Sequence, residues 1–307
     1  MDDSGRVSSG LPAGPAGPGG SARSAGPADR ALGLLLGCHP LPCVAVTAFA
    51  TAYAAAIGAD VGRLALIAVT VLVGQLAVGW SNDAIDAPRD IAARRADKPV
   101  STGLVTGWTL AVAAGVAALG CVALSFRLGA AAGWLHLVAV ISAVGYNAGL
   151  KTTRLSPLPY LLSFGLLPVV VTFAVTGPTG LNGPPLSHVL AAALLGGAAH
   201  AGNTVGDTEA DAATGVRGLP QRLGPQRSLV AMAVLVAAAA VVLLVPVLAD
   251  GDGVLWRRTV AVALLLAGVL LAGVGAVRRV GVPGGRGAWR LTLLAVTLVI
   301  AGFLAAV

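Results

Sequence analysis

Hydrophobic positions in this chain fall in long unbroken runs, not in alternating or one-face patterns. Nine such runs lie near residues 31–57, 64–82, 104–126, 129–149, 157–176, 187–203, 228–249, 256–277 and 288–307. Each approaches the roughly 20 apolar residues a helix needs to cross a bilayer core. Breaks rich in Gly, Pro and charge separate them, and "TGPTGLNGPPLS" between the fifth and sixth runs is a turn signal. Two breaks are longer, 83–103 and 204–227. The pattern predicts an all-α, polytopic membrane protein with about nine transmembrane helices. Residues 1–30 are Gly, Pro, Ser and Ala with almost no bulky apolar side chain, a composition that does not favour ordering. They contain no hydrophobic stretch of the signal-peptide kind. The expected division is a disordered tail over 1–30 and a transmembrane domain over 31–307.

Composition agrees. The 307 residues are 56% hydrophobic and 11% charged, where soluble domains carry about 25% charged residues. A net charge of +7 would suit a nucleic-acid partner, but aromatics are only 4% and the cations sit between apolar stretches. We therefore expect no nucleic acid and read the cations as a topology signal. With the N-terminus inside, all of the 20 Lys and Arg except Arg63, Arg127, Arg257 and Arg258 fall on the cytoplasmic side. The expectation is a multi-pass protein of the cell membrane, with both long polar loops in the cytoplasm and the C-terminus outside. Cys38, Cys43 and Cys121 lie in apolar runs without metal-ligand spacing and read as buried thiols.

The chemistry concentrates where two apolar runs end. In "SNDAIDAPRD", Asn82, Asp86 and Asp90 stand four residues apart, with Asp83 beside them. In "NTVGDTEAD", Asn203, Asp207 and Asp211 repeat the spacing. Such spacing puts each trio on one helical face, and each is followed by cations, a proline and a glycine, in "RRADKPVSTG" and "VRGLPQRLG". One carboxylate at a helix end is ordinarily a solvated terminus. Two on one face repel, increasingly so as they leave water, and a face built this way twice calls for a cation. Hard oxygen ligands suit Mg²⁺, which typically joins a few carboxylates to phosphate oxygens. Nearby Lys and Arg would hold the remaining phosphate charge. On the same side, "GYNAGLKTTR" places Tyr146 and Lys151 at the end of the fourth run.

A lipid with a diphosphate head suits such a site: the tail among the helices, the head on the metals, and the two long loops as lids. Neutralised diphosphate is a good leaving group, and an allylic cation left behind needs water excluded until an acceptor captures it. A transporter is the rival reading, since intramembrane acids can relay ions, but such acids usually sit near the midplane on broken helices. A lipid-binding member that has lost activity is another.

"NDAIDAPRD" resembles the first acidic signature of UbiA-type membrane prenyltransferases, "YNAGLK" their Tyr–Lys segment, and "NTVGDTEADAATGVRGLPQRLG" their second acidic motif with its continuation. The likeness runs from about residue 31 to the end. It implies a nine-helix bundle around a central cavity capped by cytoplasmic loops, Mg²⁺ as cofactor, and prenyl transfer from an allylic diphosphate to a small, often aromatic, acceptor. By position, Asp83, Asp86 and Asp90 would bind one metal and Asp207 and Asp211 a second. Asn82, Asn203, Tyr146, Lys151, Lys98 and Arg94 would face the diphosphate. Departures are Asn203 where Asp is usual, Gly218 where Thr is common, and "DKPVSTG" in place of an Arg-Pro segment. The first helix, "GCHPLPCVAVTAF", also lacks the Arg often found near its start in members that prenylate aromatic acids. His39 beside Pro40 reads as local structure, His136 and His188 as interface residues, and His200 as lying on the second cluster's face.

Overall fold

The structure, a computed structural model, describes the backbone of residues 26–177, 183–213, 215–249, 254–277 and 285–307, and their side chains except those of 204–213 and 285–289. The expected tail up to residue 25 and part of the proline-rich turn lie outside the described residues, as do the side chains of Asp207 and Asp211. Every long element among the described residues is a helix: α1 (Pro27–Gly37), α2 (Pro40–Ala56), α3 (Val61–Ala92), α4 (Gly107–Arg127), α5 (Ala130–Ala148), α6 (Leu158–Thr176), α7 (Leu186–Ala213), α8 (Leu219–Leu223), α9 (Pro225–Ala249), α10 (Leu255–Val277) and α11 (Gly285–Ala306). Each apolar run of the sequence falls on one of these helices or, for the first run, on a pair. Six of the described helices (α3, α4, α5, α6, α9 and α10) are long and apolar enough to cross a membrane. The pair α1 and α2 adds a seventh if counted as one bent span.

Consecutive helices pack side by side, and α11 returns to touch α2, closing a ring through α2, α3, α5, α6, α7, α9 and α11. Helices α4 and α10 flank it, packed on α3 and α5, and on α9 and α11, respectively. Large apolar side chains point outward, among them Leu119 on α4, Val234 and Val245 on α9 and Leu270 on α10, as expected for a bundle whose surroundings are hydrocarbon. Small residues let the backbones approach inside the ring. A Cβ at Gly196 of α7 would lie 2.6 Å from the Tyr160 carbonyl oxygen and the Phe164 Cβ of α6. At the end of the ring away from the acidic residues, Tyr53 Oη lies 3.0 Å from His188 Nδ1. Both rings pack against Phe303, joining α2, α7 and α11.

The first apolar run is not one helix. Pro40 offers no amide proton and restricts the residue before it, and His39 takes a left-handed conformation with φ 56°. The chain bends by 57° there, and the Cys43 thiol donates to the freed Cys38 carbonyl at 2.9 Å. That carbonyl rests on Gly79 of α3, where a Cβ would run into it.

The breaks after the second and sixth runs are shorter than the sequence suggested, because the helices run on. Helix α3 has 32 residues, about 48 Å at 1.5 Å per residue, against a hydrocarbon layer of about 30 Å. Its last three turns, from Ser81 onward, therefore project past the apolar layer as helix, and they carry the first acidic trio. Helix α7 has 28 residues and carries the second trio in its closing turns. The loop 93–106 folds back over the end of α3: Val100 and Val105 pack with Ala87 and Leu110, against Leu34 and Trp80. Trp80 also donates to the Leu34 carbonyl at 2.8 Å, holding α1 in place.

Candidate active site

Because α1 and the loop 93–106 cover the end of α3, its carboxylates are buried although they stand beyond the apolar layer. Asp83 and Asp90 are fully buried and Asp86 nearly so. Buried charges need partners, and two lysines from separate segments supply them. Lys98, from the covering loop, donates to Asp83 Oδ1 at 2.8 Å. Lys151, from the 3-10 turn Leu150–Thr152 after α5, donates to Asp86 Oδ1 and Oδ2 at 2.5 and 2.7 Å and to Asn82 Oδ1 at 3.4 Å. Arg89 adds a contact to Asp86 Oδ2 at 2.9 Å, one helical turn on. Burial pulls the Lys151 ammonium below its ordinary pKa, and the Asp86 carboxylate opposes that shift.

The helix corner supplies a residue that sequence reasoning placed elsewhere. His39 Nε2 lies 2.8 Å from Asp83 Oδ1, so the bend between α1 and α2 delivers an imidazole to the first cluster. The signal present in the sequence was the helix-breaking "CHPLP" itself; its target, 44 positions away, was not visible there. Asn147 of "YNAGLK" is likewise a brace, donating to the Val78 carbonyl at 2.9 Å and Ser81 Oγ at 3.0 Å.

The second cluster meets the same end of the bundle. Ser156, fully buried, accepts from the Leu219 amide at 3.0 Å and contacts His200 Nε2 at 3.0 Å. It thereby ties the loop before α8 and helix α7 to the Lys151 turn. Gly218 presses on that turn: a Cβ there would lie 2.5 Å from the Lys151 carbonyl oxygen. The departure from Thr at this position thus has a steric reason. Tyr146 and Tyr160 pack edge-on with centroids 5.2 Å apart, and both rings meet His200. The Tyr160 hydroxyl faces the side chains of Asn203 and Tyr146.

Of the residues singled out in the sequence, Asn82, Asp83, Asp86, Lys98 and Lys151 are joined in one contact network, and Asp90 shares their helix face. Tyr146 and Asn203 meet through Tyr160. Arg94 is not brought in: it is exposed, with a left-handed φ of 49°. Beside it Arg95 pairs with Asp97 at 2.6 and 3.1 Å, holding that carboxyl below the ordinary range. Asp207 and Asp211 lie on α7, one and two turns beyond Asn203.

Several oxygens at the first face are left over. Asp83 Oδ2 and both Asp90 oxygens are buried without a hydrogen bond, Asp90 having only Arg89 Nε at 3.9 Å. Buried carboxylate oxygens without donors are what a hard cation would satisfy. Among the described residues no three His, Cys, Asp or Glu side chains form a ready-made cage. Mg²⁺ completes its octahedron with water and phosphate oxygens, so a phosphate-bearing substrate would supply the remaining ligands.

The family model for UbiA prenyltransferases matches residues 43–280, which include both acidic motifs and the Lys151 turn. The chain belongs to the UbiA prenyltransferase family. Its fold is that of solved UbiA-type proteins. One is a digeranylgeranylglyceryl phosphate synthase, at TM-score 0.64 and 15% identity over 90% of this chain and 98% of that one. A UbiA homologue from Archaeoglobus fulgidus bound to DMAPP and Mg²⁺ gives TM-score 0.64 and 18% identity over 89% and 99%. The apo UbiA homologue from Aeropyrum pernix K1 gives 0.62 and 21% over 84% and 95%. No curated protein matches the sequence significantly.

Proposed function

We propose that this UbiA-family protein transfers a prenyl group from an allylic prenyl diphosphate to a small acceptor, such as an aromatic ring, within the membrane, with Mg²⁺ as cofactor. The observation that carries this reading is the buried face Asp83–Asp86–Asp90. It combines carboxylate oxygens lacking donors with two lysines delivered from separate segments, so it offers both a metal's ligands and a phosphate's counter-charges. The Archaeoglobus homologue with DMAPP and Mg²⁺ supports the substrate class.

Asp83, Asp86 and Asp90 would hold one Mg²⁺ and Asp207 and Asp211 another, supplying electrostatic neutralisation of the departing diphosphate. Lys151 and Lys98 would hold its remaining oxygens, with Asn82 and Asn203 as neutral contacts and Tyr146 beside Asn203 through Tyr160. The C1–O bond breaks with both electrons leaving on diphosphate, the acceptor's nucleophilic atom bonds C1, and the acceptor then loses a proton. Val100, Val105, Leu34 and Trp80 above the carboxylates exclude water from that centre. We read the nine long helical segments, α1 with α2 counted once and α8 omitted, as nine spans in the cell membrane. The placement of cations supports an N-terminus and a site in the cytoplasm and a C-terminus outside.

The test is release of diphosphate from geranyl diphosphate by the purified protein, with and without Mg²⁺. Asp86→Ala and Asp207→Ala are each expected to abolish it; full activity in either variant would sink the two-metal site.

A further inference from the structure

Beneath the acidic face, a partly open cavity of about 50 Å³ lies between α2, α3, α5 and α6. Most of its wall is apolar, including Val46, Val78 and Phe164, but three polar side chains also line it: Gln75, His136 and Ser163. Gln75 stands two turns before Asn82 on the same face of α3, about 10 Å below it along the axis. Its amide has no hydrogen-bond partner among the described residues, although it sits deep in an apolar span. A polar side chain inside a membrane bundle without a partner is a functional feature before it is a structural one.

The neighbours have their hydrogens already committed. Ser125 Oγ donates to the Cys121 carbonyl at 2.6 Å, so its 2.8 Å contact with His136 Nδ1 must be a bond donated by the imidazole. That leaves His136 Nε2, beside Gly74, as an acceptor. Ser163 Oγ donates to the Ala139 carbonyl at 2.8 Å, leaving it too as an acceptor. The cavity therefore offers the two N–H donors of Gln75 and several lone pairs, and no Lys or Arg lines it. A hydroxyl, which both donates and accepts, satisfies this set. A carboxylate would bring a charge into an apolar wall without a counter-ion.

We propose that this cavity binds the end of the acceptor far from its reacting atom, and that this end is an uncharged oxygen, a hydroxyl or a carbonyl. The volume fits one such group, not a whole acceptor; the acceptor's body lies above it toward Asn82, past Val78 and Ala143. Gln75 is thus a specificity residue, and His136 and Ser163 complete its hydrogen bonds. The proposal rests on the prenyl-transfer reading and names the acceptor class for that site.

The experiment compares hydroquinone with 4-hydroxybenzoate, two rings differing at the far end in hydroxyl against carboxylate, each with geranyl diphosphate and Mg²⁺. It uses the full chain and its Gln75→Met variant, which keeps the volume and removes the amide. Expected are at least ten-fold higher kcat/KM for hydroquinone in the unaltered protein, and in Gln75→Met a KM for hydroquinone raised about ten-fold. The KM for geranyl diphosphate stays the same and thermal stability is not lowered, since the amide has no partner to lose. Preference for 4-hydroxybenzoate, failure to prenylate hydroquinone while geranyl diphosphate is consumed, or an unchanged hydroquinone KM in Gln75→Met would each overturn the proposal. A loss of stability with unchanged KM would show instead a cavity built around a structural water. Absence of any Mg²⁺-dependent consumption of geranyl diphosphate would overturn the prenyl-transfer reading, and this proposal with it.

Discussion

The pair Lys151–Asp86 holds the turn after α5 against the end of α3, and its strength can be measured without any substrate. The ammonium lies 2.5 and 2.7 Å from the two carboxylate oxygens, and the two side chains are only 9% and 8% exposed. Removing one partner of a buried pair costs about 3–5 kcal/mol, because the other charge is left stranded. Lys151→Met leaves Asp86 with Arg89 at 2.9 Å, itself 25% exposed, so its expected loss is smaller, about 2 kcal/mol. Asp86→Asn strands the ammonium beside Asn82 Oδ1 at 3.4 Å, and about 3 kcal/mol is expected. The double variant strands neither, so its loss should fall short of the sum of the two by about 1.5–3 kcal/mol. The assay is heat unfolding in detergent with EDTA, followed by tryptophan fluorescence. At about 2 °C per kcal/mol for a chain of this size, the single variants melt roughly 4–6 °C lower than the unaltered protein. Two losses that add within about 0.5 kcal/mol would refute the pairing. Lys151→Met should also be stabilised more by Mg²⁺ than the unaltered protein is, since the lysine no longer competes for Asp86.

Gly79→Ala puts a methyl group against the Cys38 carbonyl and should push the α1–α2 corner, with His39, away from Asp83. The expected loss is about 1–3 kcal/mol of stability with a raised KM for geranyl diphosphate, and unchanged melting and kinetics would show that the corner is not seated there. Gly218→Thr sets a side chain against the Lys151 carbonyl, so the KM for geranyl diphosphate should rise several-fold as the turn is displaced. A variant with unaltered KM would detach the loop before α8 from the placement of Lys151.

Helix positions were legible because hydrophobic length is a one-dimensional property: a run near 20 residues in lipid has few options but a helix. The acidic faces were legible for a related reason, since four-residue spacing survives wherever the helix continues, and α3 does continue to Ala92. Their pairing with Lys98 and Lys151 was readable only as a shared end of the bundle. The contacts themselves depend on how far the loop 93–106 folds back and on where the 3-10 turn after α5 lands. Arg94 shows the limit: four residues from Lys98 and equally cationic, it points outward, because its left-handed backbone turns the chain before the loop reaches Asp83.

The corner at His39 was beyond sequence reading for a stronger reason. "CHPLP" announces a break, and a proline break in an apolar run would ordinarily be a kink whose lost hydrogen bond is an expense with no return. Here each freed group is used. The Cys38 carbonyl accepts from the Cys43 thiol, Gly79 gives it room to rest on α3, and the turned backbone aims His39 at Asp83. Because α1 is held to the same helix by Trp80, the corner cannot swing without uncovering the carboxylates. The break in the first span and the burial of the first acidic face are therefore one structural fact: a straight helix from Pro27 to Ala56 would bring neither the imidazole nor the cover that lets these charges persist out of water.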